Sequence, residues 1–181
     1  NPGAYILSPE GLTFYGGLIC AALAIWWYAK KHKIGIWHLN DAAAPALMIA
    51  YALGRVGCQV SGDGDWGIFN GAYALDPDGS IVSGNAETFR ASLLTHTNYF
   101  VNNFGSIDGV PHASFTKPGI LSFLPNWLFG YNYPNNVNSA GVAIAGCLDT
   151  KYCNQLPVPV FPTPFYETIA CTLLFGVLWF F

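Results

Sequence analysis

The chain has 181 residues, of which 52% are hydrophobic and 9% are charged, whereas soluble domains contain about 25% charged residues. This composition excludes intrinsic disorder, and a formal net charge of −3 excludes a conventional nucleic-acid-binding protein, which needs a basic surface. We therefore predict an all-α integral membrane protein: a helical bundle fragment with two full spans, one partial span and a small, irregular, β-containing head outside the cytoplasm.

Three apolar runs predict the membrane-spanning helices. They cover residues 11–29, 41–60 and 165–181. A span needs about 20 residues, so the first two runs predict complete spans and the third a partial one. A buried core helix of a soluble protein is the alternative for each run, but the flanking charges favour a bilayer. Because the chain begins at Asn1 and ends within an apolar run at Phe181, we expect a fragment cut inside a helix.

The basic residues predict the orientation of these helices. Three of the seven, Lys30, Lys31 and Lys33, lie in residues 30–40. Loops rich in lysine and arginine stay in the cytoplasm, so this loop is predicted to be cytoplasmic. Residues 61–164 are then extracytoplasmic, and the third helix returns into the membrane.

Several features are predicted within this external segment. Residues 71–84 read as a β-hairpin around a Pro-Asp-Gly turn. The aromatic residues of 125–134 fit either an interfacial belt or the core of a small head. Cys147 and Cys153 lie in a compartment that permits disulfides, and a short-loop disulfide is favoured over free thiols.

Arg55 is the most informative residue, because an arginine inside an apolar helix costs about 2.5–3.5 kcal/mol on insertion scales. It is expected to face a polar interior, with snorkelling to the surface as the alternative. Asp41, interpreted as the N-cap of the second helix, lies about 21 Å away along the axis, which places Arg55 in the outer third of the span. Tyr15 is predicted at a matching height, either at the site or in an aromatic belt.

A glycine-rich stretch follows Arg55. Residues 54–67 contain five glycines, which allow backbone amides to approach and bind an anion. An arginine followed by such a loop suits a lipid phosphate better than a fatty tail. Asp63 and Asp65 are candidates to orient a donor or act as a base, or they are ordinary turn residues.

Four segments resemble the prolipoprotein diacylglyceryl transferase family, integral membrane enzymes of bacterial lipoprotein maturation. Residues 11–19 resemble its aromatic-His-Gly-Gly-Leu helix, and residues 40–55 resemble the helix that leads into its signature. Residues 54–67 resemble the signature itself, Gly-Arg-x-Gly-Asn-x-x-Asn-Gly-Glu-x-x-Gly. Residues 162–167 are similar to the family's Pro-Ser-Gln-Leu-Tyr-Glu motif.

The resemblance implies transfer of a diacylglyceryl group from phosphatidylglycerol to the lipobox cysteine of a prolipoprotein signal peptide. It implies a location in the bacterial cytoplasmic (inner) membrane, contact with membrane lipid, and no cofactor or metal. The implied catalytic residues are Arg55, Tyr15 and Asp63. The implied substrate-binding residues are Arg55, Gly57, Ser61, Gly62, Gly67, Tyr166 and Glu167.

The sequence departs from the family pattern at several of these positions. Tyr15 stands in place of the motif histidine, and Cys58 in place of the first signature asparagine. Ser61 replaces the second asparagine, and Val160 stands where a second arginine is expected. Two other functions therefore stay open: a catalytically silent homologue that binds anionic lipid or lipoprotein precursors, and an anion channel or transporter piece. The nearly apolar helix below Arg55 disfavours the transporter.

Overall fold

The computed structural model describes residues 14–148 and 151–180, apart from the side chains of residues 14 and 15. The chain forms two compact units. One contains the residues up to Leu47 together with those from Phe175 onward, and the other is Met48–Leu174. The second unit contains most of the functional residues predicted from the sequence.

Three long helices account for the predicted spans. They are α1 (Phe14–Lys31), α2 (Ile36–Ser61) and α5 (Thr163–Phe180). Among the described helices, α2 and α5 are long and apolar enough to cross a membrane, as judged by length and composition. The first predicted span is also helical, but α1 is not one of these two. Its C-terminal half carries two tryptophans, a tyrosine and two lysines, which lower its mean hydropathy.

The start of α2 corrects one expectation. The helix begins at Ile36, so Asp41 lies within it and its interpretation as the N-cap is wrong. The connection from α1 is correspondingly only residues 32–35 rather than 30–40. The apolar residues before Asp41 continue the helix, and the N–H of Leu39 donates to the carbonyl of Gly35 at 3.1 Å. Pro45 is accommodated within α2.

Among the described residues, three two-stranded sheets, two short α-helices and two single-turn 3-10 helices build the head. β1 (Phe69–Asn70) pairs in parallel with β4 (His112–Ala113). β2 (Tyr73–Leu75) and β3 (Ile81–Ser83) are antiparallel, and β5 (Val142–Ala143) and β6 (Asn154–Gln155) are also antiparallel. The α-helices are α3 (Ala86–Thr95) and α4 (Thr97–Phe104).

The β2–β3 pair confirms the predicted hairpin. Tyr73 lies opposite Ser83, and the N–H of Asp76 donates to the carbonyl of Ser80 at 2.9 Å. Gly79 occupies the left-handed region at a φ of 77°, where a residue without Cβ avoids strain. The Pro-Asp-Gly sequence therefore forms the predicted turn, because its glycine can adopt the left-handed conformation.

The head has a hydrophobic core of its own. Its buried members come from β1, α3, α4 and the segments before and after the disulfide loop; they are Phe69, Phe89, Leu93, Phe100, Val110, Tyr133, Leu156, Val158 and Val160. Phe129 is buried in an adjoining cluster, whereas Trp127 is 37% exposed. The aromatic stretch of residues 125–134 therefore contributes to the core of the head.

Asn70 crosslinks the head through a fully buried side chain. Its Nδ2 donates to the carbonyls of Phe129 at 2.8 Å and Phe115 at 3.0 Å. Its Oδ1 accepts from the N–H groups of Phe115 at 3.0 Å and Ala72 at 3.2 Å. Four hydrogen bonds satisfy the amide, as the burial of a polar group requires.

A disulfide joins Cys147 to Cys153 in the head, with their Cα atoms 5.7 Å apart. This separation lies within the range that a disulfide tolerates. The bond closes a short loop next to the β5–β6 pair. The sequence predicted this pairing from the external compartment and the short spacing.

Candidate functional site

Two carboxylates hold the guanidinium of Arg55, whose side chain is only 13% exposed. Nη1 donates to Oδ2 of Asp65 at 2.6 Å. Nη2 donates to Oε1 of Glu167 at 3.3 Å, and Nε lies 2.8 Å from Oε2 of the same residue. The site thus joins the last turns of α2, the following loop and the second turn of α5. Arg55 lies about 28 Å along the axis from the start of α2 and about 9 Å from its end.

Glu167 is oriented from two directions. The Nε–H of Arg55 is not aligned with a hydrogen-bond acceptor, so its 2.8 Å approach to Oε2 is a charge contact rather than a hydrogen bond. The hydroxyl of Tyr51 donates to that same Oε2 at 2.9 Å. Because Tyr51 and Arg55 are four residues apart in α2, they share one helix face and meet the carboxylate together.

The loop that carries Asp65 is fixed through its backbone to the start of α5. The hydroxyl of Thr163 donates to the carbonyl of Asp65 at 2.9 Å, and the N–H of Gly67 donates to the carbonyl of Phe161 at 2.9 Å. A Cβ on Gly67 would lie 2.8 Å from Cγ2 of Thr163 and 3.0 Å from the carbonyl oxygen of Phe161. A glycine is therefore required for the two segments to approach this closely.

Gly62 caps the C-terminus of α2 and also needs to be a glycine. It has a φ of 62°, and its N–H donates to the carbonyl of Cys58 at 3.0 Å, as in a left-handed helix cap. A Cβ here would lie 2.7 Å from Cβ of Asn136. The family resemblance implies that Gly62 and Gly67 bind substrate. In the structure, the contacts of both glycines shape the loop.

The remaining signature residues differ in their surroundings. Gly57 lies within α2, and a Cβ added there would meet no heavy atom within 4 Å beyond the backbone of its own helix. The carbonyl of Ser61 accepts from the N–H of Val137 at 3.0 Å. The hydroxyl of Tyr166 donates to the carbonyl of Leu128 at 2.6 Å, which ties α5 to the head. The backbone of Tyr15 is helical, and its side chain lies outside the described residues.

Asp65 supplies the loop carboxylate that contacts Arg55, and the catalytic role of Asp63 stays a prediction. The Oδ1 of Asp63 lies 3.4 Å from the N–H of Asp65 and accepts its hydrogen bond. The thiol of Cys58 lies 3.6 Å from Nη1 of Arg55 and 3.9 Å from Oδ2 of Asp65. Cys58, Asp63 and Asp65 each place one ligand-type atom within 4.8 Å of the others. The expectation that the protein uses no metal stays a prediction.

An apolar groove of about 540 Å³ lies beside α2 and begins at Val56, the residue that follows Arg55. It is lined by the C-terminal end of α2, the start of α5 and aromatic residues of the head; these are Val56, Gln59, Val60, Trp127, Tyr131, Phe165 and Thr168. The volume falls in the range of ligand pockets. A polar arginine cluster and an apolar groove therefore lie side by side.

Tyrosines of the head face this region from a buried environment. Burial raises the pKa of Tyr131 and of Tyr133 above the usual value. The hydroxyl of Tyr133 donates to Oε1 of Gln59 at 2.8 Å. Both phenols therefore stay protonated at neutral pH, and that of Tyr133 acts as a hydrogen-bond donor.

Sequence reasoning singled out Arg55 and Glu167 but missed the role of Tyr51. The four-residue spacing between Tyr51 and Arg55 was available in the sequence as a signal, because it places both on one face of a helix. The contact between Arg55 and Glu167, 112 residues apart, was not available, because it depends on the packing of α5 beside α2.

These features fit a helical membrane protein with a charged site near the C-terminal end of an apolar helix. The model of the prolipoprotein diacylglyceryl transferase family matches residues 4–181. The chain belongs to this family, a family of bacterial membrane enzymes.

Relatives named phosphatidylglycerol–prolipoprotein diacylglyceryl transferase are similar to parts of the chain. The relative from Neisseria gonorrhoeae is 39% identical over 121 residues, which are 66% of this chain and 42% of the relative. Those from Leptospira interrogans and Dehalococcoides mccartyi are 47% and 44% identical over 62 residues, 34% of this chain. These 62 residues are 20% and 24% of the two relatives, so the matches span less than half of each relative. No solved structure matches the chain significantly.

Proposed function

We propose that the protein transfers a diacylglyceryl group from phosphatidylglycerol to the thiol of a prolipoprotein's lipobox cysteine. The observation that carries this proposal is the nearly buried guanidinium of Arg55 near the C-terminal end of an apolar helix, beside an apolar groove. The charged group suits a lipid phosphate and the groove suits an apolar chain. Family membership and the names of the relatives support the reaction.

The reaction requires little from the protein beyond positioning, charge stabilisation and removal of one proton. The cysteine sulfur attacks the glyceryl carbon that carries the phosphate ester, a C–S bond forms and the C–O bond breaks. Glycerol phosphate leaves with the bonding electron pair, and the thiol proton passes to a base. Arg55 binds the phosphodiester and stabilises the charge that develops on the leaving phosphate.

Four groups are candidates for the base. Tyr15 and Asp63 are the residues that the family resemblance implies. Asp65 and Glu167 are carboxylates that already contact Arg55. Each of the three acids carries carboxyl oxygens that can accept the thiol proton. A pH–rate profile of each single variant would assign the role.

We further propose the inner membrane as the location, with the head outside the cytoplasm. The lysines at the end of α1 support this orientation, since cytoplasmic loops are enriched in basic residues. Single cysteines introduced into residues 32–35 and into the β2–β3 turn test it with an impermeant thiol reagent on intact cells. Labelling of the turn and protection of residues 32–35 are expected, and the reverse pattern would contradict the orientation.

One observation favours a lipid-binding homologue without transferase activity. Val160 stands where the family has its second arginine, and it is fully buried in the core of the head between Phe69 and Tyr131. Within the described part of the chain, the site therefore has Arg55 without a counterpart of that second arginine. Activity of the wild type distinguishes the two functions directly.

The test measures diacylglyceryl transfer to a lipobox peptide by the wild type, Arg55→Lys and Arg55→Ala. Removing one donor that stabilises developing charge lowers rates about 100-fold or more, which we expect for Arg55→Ala. Lysine offers a point charge in place of a planar fork, so Arg55→Lys should recover only part of the rate. The chain's other arginine, the exposed Arg90 in α3, supplies the control Arg90→Ala. Full activity of Arg55→Ala would refute the phosphate-binding role, and an inactive wild type that binds phosphatidylglycerol would favour the silent homologue.

A further inference from the structure

We infer that the carboxylate of Asp65 occupies the phosphate-binding edge of Arg55 in the lipid-free protein and leaves it when phosphatidylglycerol binds. This inference rests on the proposed function and concerns the regulation of the same site. Asp65 is then a competitor that sets the affinity for the lipid phosphate, rather than a residue that prepares Arg55 for it.

The charge balance of the site requires such an exchange. One guanidinium faces the carboxylates of Asp65 and Glu167, so the cluster carries one net negative charge when all three groups are ionised. A phosphodiester adds another negative charge. If both carboxylates stayed in place, the phosphate would enter a site that already repels it, and like charges at such short range disfavour each other. Departure of one carboxylate restores the original balance.

Contacts identify Asp65 as the carboxylate that leaves. Glu167 spans Nε and Nη2 of Arg55 with both of its oxygens, and it also accepts from the hydroxyl of Tyr51. Asp65 meets Arg55 through Oδ2, at Nη1. Its side chain is 58% exposed, against 42% for Glu167. Glu167 engages both of its oxygens, whereas Asp65 makes a shorter contact of 2.6 Å through one oxygen and is the more exposed to solvent and to an incoming anion.

The backbone around Asp65 allows the side chain to move without disturbing the loop. The carbonyl of Asp65 is held by Thr163, its N–H by Asp63, and the loop beyond it by the hydrogen bond from Gly67 to Phe161. None of these bonds uses the carboxylate of Asp65. Rotation about its side-chain torsions would free Nη1 of Arg55 while the loop keeps its position.

The inference predicts opposite effects for the two carboxylates. Asp65→Asn removes the competing charge, so short-chain phosphatidylglycerol and glycerol phosphate should bind about three- to tenfold more tightly. A tenfold change corresponds to about 1.4 kcal/mol. Glu167→Gln weakens the contact that orients Arg55, so binding should become weaker. Asp65→Glu restores a carboxylate and should bind as weakly as the wild type.

The experiment titrates the full chain in detergent micelles with water-soluble phosphatidylglycerol, glycerol phosphate and inorganic phosphate. Asp108→Asn, an exposed carboxylate elsewhere in the head, controls for the change in net charge. Thermal unfolding is recorded for every variant, and Asp65→Ser replaces Asp65→Asn if the latter does not fold. Tighter binding by Asp65→Asn, without a gain for Asp108→Asn or Glu167→Gln, supports the inference. Unchanged or weaker binding by Asp65→Asn overturns it, because Asp65 would then be inert or would position Arg55.

A transfer assay on the same samples separates this inference from the proposed function. If Asp65→Asn binds the phosphate probes more tightly but no variant transfers diacylglyceryl, anion exchange at Arg55 stands and the transferase function falls. If the wild type transfers diacylglyceryl but Asp65→Asn gains no affinity, the function stands and the inference is wrong. If no probe binds to any variant, both are wrong.

Discussion

Substitution of Gly62 by alanine should destabilise the junction between α2 and the head by at least about 2 kcal/mol. Alanine in the left-handed region costs roughly 1–2 kcal/mol. Its Cβ would also lie 2.7 Å from Cβ and 3.3 Å from Cα of Asn136, whose side chain is buried. Overpacking of this kind costs about 1–3 kcal/mol. The two effects are separate, because the first concerns φ and the second concerns a neighbour that cannot move freely.

Two other glycines separate these contributions. Gly79 has a φ of 77° but open space around its Cβ direction, so Gly79→Ala should show the backbone cost alone. Gly57 lies in the interior of α2 with open space, so Gly57→Ala should stabilise the helix by about 0.5–1 kcal/mol. Guanidinium titration of purified protein, followed by tryptophan fluorescence, gives the free energy of unfolding for each. Trp66 is a suitable reporter because its ring centroid lies 5.1 Å from that of Tyr133. If Gly62→Ala proves no less stable than Gly79→Ala, the steric part of the reasoning is refuted.

Three further outcomes follow from the site and the head. Cys147→Ser should lower the free energy of unfolding of the head by about 2 kcal/mol, because the disulfide closes a short loop and so removes little entropy from the unfolded chain. In thermal scans, dithiothreitol should destabilise the wild type but not the variant. Burial raises the pKa of Tyr133 above its usual 10.0, so the stability that its neutral phenol contributes is complete below pH 10 and declines as the pH rises further. The melting temperature of Tyr133→Phe should therefore fall less steeply above pH 10 than that of the wild type. An unchanged slope would contradict this. Tyr51→Phe removes the hydroxyl that orients Glu167. The transfer rate should therefore fall about three- to tenfold, which corresponds to the roughly 1 kcal/mol of a typical exposed hydrogen bond. An unaltered kcat would show that Glu167 needs no such support.

Local patterns in the sequence predicted the elements whose formation is a local matter. The apolar runs predicted helices at the places of α1, α2 and α5, and the Pro-Asp-Gly sequence predicted the β2–β3 hairpin because Gly79 supplies the required φ. The N-terminal boundary of α2 was wrong for an equally local reason. Asp is a common N-cap residue, but the helix already begins at Ile36, one turn and more upstream of Asp41.

The organisation of the site was less predictable, because it depends on contacts between distant segments. Arg55 stood out through its cost in an apolar helix, which the sequence alone reveals. The choice between Asp63 and Asp65 depended on where the loop turns, and Gly67 fixes that turn through Phe161, almost 100 residues away. The shaping role of Gly62 likewise needed the position of Asn136. The motif resemblance identified these glycines as important. It did not reveal that neighbouring backbone and side-chain atoms exclude a larger residue at both positions.

The buried amide of Asn70 also bears on the chemical ageing of the protein. Asn70 is followed by Gly71, the pair in which asparagine most readily deamidates through attack of the next backbone nitrogen on the side-chain carbonyl. In the folded head, Oδ1 and Nδ2 are held by four hydrogen bonds, and the N–H of Gly71 donates to the carbonyl of Ala113 at 2.8 Å. These bonds hold the nucleophile and the carbonyl apart from the cyclic geometry of the reaction. Damage at this position therefore records how long a molecule has spent with its head unfolded.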